Sequence, residues 1–260
     1  SKQRAPHYAA DRDRLDKKAT SRLSPYLRFG EISIHRLWAL ITQASDSGRI
    51  TNEDASAFLS ELLWRDFAWH RLYHLPDLHR RNVREQFDHF DWHWDENEAR
   101  RIASTRRDPR WPETEKDIPE IATADDFHSV FSAWRAGKTG IAVVDAGMRE
   151  LWATGTMHNR VRMVVASFLT KNLGIHWRHG EAWFWDTLVD ADPASNPFNW
   201  QWAAGCGDDA APYFRIFNPD TQAKRFDPDY RYIQHWVPEY ATPMYPQPVV
   251  ELKASRRQAL

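Results

Sequence analysis

NRVRMVVASFLTKNL (residues 159–173) decides the fold class. Its apolar residues recur at helical spacing, and Gly174 follows in the position where a helix hands over to a left-handed residue. Asn159, Arg162, Met163 and Ala166 share one face, whereas Arg160 points about 100° away. Two guanidiniums on different faces can serve two clients, for example a cofactor and a nucleic-acid backbone. Outward from this stretch the helical period continues. Ser33–Ala44 carries Ile34, Leu37, Trp38 and Ile41 at i, i+3, i+4, i+7, with Gly48 as a stop. Thr51 with Asp54 is a capping-box variant. It opens a long pattern through Phe58, Leu62, Trp69 and Leu72 that closes at Pro76. Gly140–Ala153 and His179–Val189 also read as helices. Residues 77–130 read as irregular with short helical turns. Asp192–Pro219 reads as a Pro-, Asn- and Gly-rich connection. Strand signals are few, and no hairpin dipeptide or repeat is visible. The expectation is an all-α chain with a linker or arm over 1–19, one helical domain over 20–240 and a tail over 241–260.

A length of 260 residues allows one large domain or two small ones. With 35 Lys+Arg against 36 Asp+Glu the net charge is −1, so any affinity for nucleic acid must come from a local patch. The single Cys206 excludes an internal disulfide and a multi-Cys zinc site. The longest largely apolar run, Met163–Leu169, is far below the ~20 residues of a bilayer span. No apolar leader opens the chain, and a cytoplasmic monomer is expected. The 14 Trp, 13 Phe and 8 Tyr mean that large flat surfaces are packed or presented.

Two motifs fail. Ala136-Gly137-Lys138-Thr139 resembles the end of a phosphate loop, but the upstream glycine is Ser132 and no strand precedes it. His70/His74 and His89/His93 lack a third ligand, so no metal is expected.

Three clusters carry chemistry. Thr20-Ser21-Arg22-Leu23-Ser24 is dense in short donors, which suits a pyrophosphate or, equally, a helix cap beside a surface arginine. Glu61, Trp64 and Arg65 fall at i, i+3, i+4 on one face. They suit a nucleobase-like ligand; the alternative is a surface ion pair beside a partly buried indole. Asp190 and Asp192 near a helix end call for a positive or donor-rich partner, and Arg162 is the obvious one.

TSRLSPYLRFGE (20–31), SELLWRDF (60–67), DAGMRELWATGTMHNRVRMVVASFL (145–169), LVDADPASNPFNWQW (188–202) and DAAPYFRIFNPDTQ (209–222) resemble, in order, the signature blocks of the cryptochrome/photolyase family. The match is to the helical flavin-binding half of class I cyclobutane pyrimidine dimer photolyases, from about Tyr8 to Pro238, without the family's N-terminal α/β antenna domain. The resemblance implies FAD in a U shape. Tyr8 and Thr20, Ser21, Arg22, Leu23 and Ser24 match phosphate and ribose contacts. Asn159, Arg162, Asp190 and Asp192 match flavin and ribityl contacts. Asn196 matches the residue beside the reactive flavin nitrogen, where Asn favours the reduced anionic form. Phe58 stands where a Trp usually faces the adenine, and Arg65 is shared between cofactor and DNA. Arg12, Glu61, Trp64, Arg65, Asn159, Arg160, Met163, Trp202 and Gln222 match lesion and DNA contacts, with Arg215 a further phosphate contact. Trp200 and Trp177 match the inner members of a photoreducing tryptophan relay. Its distal position is Ala124, which leaves Trp134 or a Trp of the long segment 96–125 as the outer end. Further departures are Ile141-Ala142 for a Tyr-Pro and Ala191 for a Gly. The implied activity is light-driven splitting of pyrimidine dimers in DNA, with the antenna pigment open. The alternative is a blue-light photoreceptor of the same fold. A (6-4) enzyme would carry a His pair where this chain has His158-Asn159, and a flavin-free helical DNA-binding protein ranks last.

Overall fold

The computed structural model describes residues 7–95, 97, 126–209 and 216–259. Its helices are α1 (Tyr8–Asp11), α2 (Ser24–Arg28), α3 (Ile34–Asp46), α4 (Asn52–His74), α5 (Phe127–Ala136), α6 (Ala142–Thr154), α7 (Asn159–Ser167), α8 (Trp177–Thr187), α9 (Ser195–Ala204), α10 (Pro219–Phe226), α11 (Arg231–Trp236) and α12 (Leu252–Gln258). Among the described residues the only extended pairing is an isolated bridge between His93 and Ile175, so the fold is helical as expected. No helix among them is long and apolar enough to cross a membrane.

Local chemistry sets the ends. Thr51 Oγ1 accepts from Asp54 N at 3.0 Å and starts α4. Leu75, before Pro76, ends it. Gly137 and Gly155 close α5 and α6 in the left-handed conformation. The Lys-Thr sequence after α5 is therefore part of a helix stop. Thr139 is spent on Asp145, donating from both N and Oγ1 at 2.7 Å. His158 and His176 cap α7 and α8, each Nδ1 accepting the backbone N–H two residues on at 3.2 Å.

The structure departs from the sequence reading in several places: α5, α10, α11 and α12 are not among the expected helices, and α12 lies within the expected tail. The helix expected over 159–173 changes at Phe168 into a π-helical turn, Phe168–Asn172, before Gly174. The helix expected from His179 begins at Trp177. Residues 195–204, read as a connection, form α9: Asp192 accepts from Ala194 N and Ser195 N at 2.9 and 2.5 Å, and Pro197 sits in the first turn, where its missing N–H costs nothing.

The main core joins α5 to α9. It includes Phe131, Trp134, Met148, Val161, Val165, Phe168, Trp177 and Trp200. A smaller cluster of Ala68, Leu78, Ala194 and Phe198 ties α4 to the start of α9. Truncating a ring as enclosed as Trp134 costs about 3–5 kcal/mol. Both flanks are packed. Ala9 N donates to Asp54 at 2.7 Å, and Leu15 enters the core while its N–H bonds Phe226 O at 2.9 Å. At the other end Tyr245 OH donates to buried Asp145 at 2.6 Å, and Asn172 donates to Ser255 at 2.9 Å. Ala124, Arg215 and all of the long segment 96–125 except Asn97 lie outside the described residues.

Candidate functional site

Four pieces of chain meet around the start of α9. Arg28 Nε donates to Ala191 O at 2.5 Å, bringing α2 against the 188–195 turn. Arg65 Nη2 on α4 reaches Leu27 O at 3.4 Å. Arg162 on α7 donates to Asp190 Oδ2 at 2.9 Å and to Met157 O at 2.8 Å, so its guanidinium is fixed at two points. Phe67 packs edge-on against Phe198, with centroids 5.7 Å apart.

Asp190 is the electrostatic centre of this junction. Burial alone would raise its carboxyl. Arg162, and then the Ser24 hydroxyl, reverse that and hold it below the usual carboxylate range. Its Oδ1 is buried and has no hydrogen-bond partner, which leaves a place for a ligand hydroxyl or N–H. Asp192 meets the donor-rich alternative rather than Arg162: the N-terminal amides of α9 and Ser195 Oγ at 3.0 Å satisfy it. Asn196, buried in the first turn of α9, donates its Nδ2 to both Glu181 O and Glu181 Oε1 at 2.9 Å. Its donor atom is spent, so the free edge it offers is the carbonyl acceptor. Arg22 sits at φ 57 inside the Thr20–Ser24 run, a strained conformation of the kind that clusters at ligand sites.

The rim carries the remaining residues. Tyr8 meets Phe58 edge-on at 5.3 Å. Glu61 pairs with Arg12 at 2.6 Å. Trp64 is 49 % exposed and rests against Phe67 at 6.0 Å. Arg65 turns from Glu61 toward Leu27 and the Trp69 ring, 5.7 Å away. Arg160 pairs with Asp13. Asn159 is exposed, while Met163 and Trp202 are half-buried against the core, Trp202 lying 6.0 Å from Phe217. Gln222 has its Oε1 buried without a partner. No group of three His, Cys, Asp or Glu among the described residues could hold a metal.

Three buried indoles lie on α9, α8 and α5. Trp200 lies on α9 one turn beyond Asn196. It touches Phe184 edge-on at 4.9 Å and Trp134 at 6.2 Å. Trp177 is wholly buried and donates to Asn82 at 2.8 Å. Trp134 is also wholly enclosed, with Nε1 on Val165 O at 3.3 Å. This corrects the expectation for Trp134. A solvent-facing end must be reachable from outside, and Trp134 is instead an inner neighbour of Trp200.

Sequence reasoning missed Glu181 and Gly180. A Cβ on Gly180 would lie 2.2 Å from Trp200 Cη2, so the bare backbone of α8 is the seat of that ring. A glycine inside a helical pattern between tryptophans was the available signal.

The fold and site define a helical domain built to hold a ligand with donor and acceptor edges among aromatic rings. Residues 58–243 match the family model described as the FAD binding domain of DNA photolyase, and the chain belongs to that family. It is 47 % identical over 232 residues to the deoxyribodipyrimidine photo-lyase of Agrobacterium fabrum, covering 89 % of this chain and 41 % of that one. It is 41 % identical over 255 residues to that of Thermus thermophilus, covering 98 % and 52 %. The chain thus spans about half the length of these curated relatives. The crystal structure of a bacterial class III photolyase from Agrobacterium tumefaciens superposes with a TM-score of 0.81 at 41 % identity, covering 98 % of this chain and 51 % of that one. A Synechocystis cryptochrome superposes at 0.77 with 29 % identity, covering 98 % and 52 %.

Proposed function

We propose that this chain is the flavin-holding, catalytic part of a light-driven DNA repair enzyme that splits cyclobutane pyrimidine dimers. The observation that carries the reading is the pairing at one junction of an orphaned Asp190 Oδ1 beside Arg162 with an Asn196 whose carbonyl alone is free. These groups fit FAD. Arg162, Asp190 and Asn196 would hold its isoalloxazine and ribityl side, with the Thr20–Ser24 run and Tyr8 on the phosphates and Phe58 facing the adenine. Reduced FAD, when bound, supplies blue-light absorption and an electron that is lent to the dimer and recovered once the cyclobutane bonds have broken.

The protein's work is positional. A dimer must leave the stack to enter the site, at a cost of a few kcal/mol that damage reduces. Trp64, exposed at the rim, supplies a stacking face worth about 1–3 kcal/mol per base, and Trp202 a second. Glu61 would accept from pyrimidine N–H groups. Arg12, Arg160 and Arg215 would meet phosphates, so binding falls with salt. Trp200 and Trp177 would return the flavin to its reduced state. A monomer acting on DNA in the cytoplasm is the matching cellular reading. The finer expectation of a class I enzyme rests on the sequence blocks alone and draws no support from the likeness to a class III structure.

The second reading, a blue-light photoreceptor, is favoured by the likeness to a cryptochrome. The experiment that separates them is repair of a dimer-containing oligonucleotide by flavin-loaded, chemically reduced protein, with blue light on and off. Light-dependent restoration of the pyrimidines is the expected result. Its absence at full flavin reduction sinks the repair reading.

A further inference from the structure

Arg12 and Asp13 are neighbours in the chain and reach opposite charges on two different helices. Arg12 Nη2 lies 2.6 Å from Glu61 Oε1 on α4. Asp13 Oδ2 lies 2.5 Å from Arg160 Nη2 on α7. The segment cannot swing freely, because Ala9 N is bonded to Asp54 on one side and Leu15 N to Phe226 O on the other. Arg160 is confined as well: its guanidinium carbon lies 4.6 Å above the Phe226 ring. Its side chain keeps 20 % of its surface exposed and that of Asp13 keeps 31 %.

We propose that Asp13 is a built-in counter-anion for Arg160, setting how strongly the rim grips a DNA backbone. The inference rests on the DNA-repair reading above. A guanidinium attracts any phosphate regardless of base sequence, and each phosphate neutralised releases DNA counterions. With a carboxylate already on it, Arg160 presents nearly no net charge at a distance. An arriving phosphate must share the guanidinium with Asp13. The ring of Phe226 holds the arginine in place whether or not the carboxylate is charged, so geometry and charge separate cleanly.

Asp13→Asn makes that separation, because the amide oxygen can still accept from Arg160 while the charge is gone. Flavin-loaded protein is titrated with undamaged and with dimer-containing duplex across a salt series. The variant binds both duplexes about fivefold tighter, the order expected for one unit charge near a phosphate in a water-like dielectric. Its dependence on log salt steepens by about 0.9. Asp13→Glu restores the wild-type slope. Thermal melts of each variant confirm that the fold is kept. Unchanged affinity and slope, or weaker binding to both duplexes, overturns the proposal; weaker binding would make Asp13 only a prop for Arg160. If wild type binds neither duplex, the DNA-repair reading itself fails and Asp13 loses its role with it.

Discussion

Asp190 and Arg162 show how single residues set the chemistry of the junction. The carboxylate is buried, held by the Arg162 guanidinium and the Ser24 hydroxyl, and its Oδ1 has no hydrogen-bond partner. Arg162→Ala strands it, and removing one partner of a buried pair costs about 3–5 kcal/mol. The variant is therefore expected to purify largely free of FAD and with a lower Tm; absorbance at the flavin band against protein concentration measures this. Stoichiometric FAD in the variant would remove Arg162 from the site. Glu61 is a different case. It sits exposed enough to meet a ligand and is already paired with Arg12. Glu61→Gln keeps the shape and loses the charge-assisted acceptor. Repair yield per absorbed photon is expected to fall more than lesion affinity, and a variant in which only affinity falls would place Glu61 in binding alone.

At the scale of elements, α8 and α9 work as a pair. Glu181 orients Asn196, and Gly180 one residue earlier seats Trp200. Gly180→Ala pushes the indole off the helix. Photoreduction measured by transient absorption should slow, while repair with pre-reduced flavin stays near wild type. Phe184→Leu loosens the other side of the same ring and should act in the same direction. The histidine caps add a pH dependence. Burial holds His158 down at about 4 and drives His176 well below its ordinary value. Each cap needs an unprotonated Nδ1 to accept the backbone N–H. Above about pH 6.5 neither folded nor unfolded chain carries the proton, and the contribution is complete. As pH falls from about 6.5 toward 4 the unfolded state gains a proton that folded His158 refuses, and about 3 kcal/mol is lost. His158→Asn keeps a capping oxygen and removes the titration. Between about pH 7.5 and 5 wild type should lose about 2 kcal/mol more than this variant in denaturant unfolding. Parallel losses would show that His158 is not the titrating group.

Over the whole molecule, the two flanks of the chain hold the helices together. Tyr245, near the C-terminus, donates to Asp145, which is wholly buried and also takes N–H groups from Thr139 and Gly140. Tyr245→Phe leaves that carboxylate one donor short, at about 1–3 kcal/mol. For a chain of this size that is a fall in Tm of roughly 2–4 °C per kcal/mol. An unchanged Tm would mean that the C-terminal segment packs without bearing on stability.

The helical class and the long helices α3, α4 and α6 were legible in the sequence, because each rests on local spacing: a 3.6-residue period or a cap three residues from its partner; the pair Arg162–Asp190 was read instead from unlike charges in two motif strings. α9 was hidden. Its Asn and Pro content mimics a loop, and only Asp192 folding back onto the first-turn amides makes it a helix. The packing of residues 7–19 was equally out of reach, since Asp54, Glu61, Arg160 and Phe226 lie far along the chain from the arm they fasten. Trp134 shows the same limit. Its identity marked it as a relay candidate, but whether an indole faces solvent depends on every element around it. Spacing along one chain fixes which face a residue shares; which distant group meets that face, and how much water remains, is decided only when the helices close on one another.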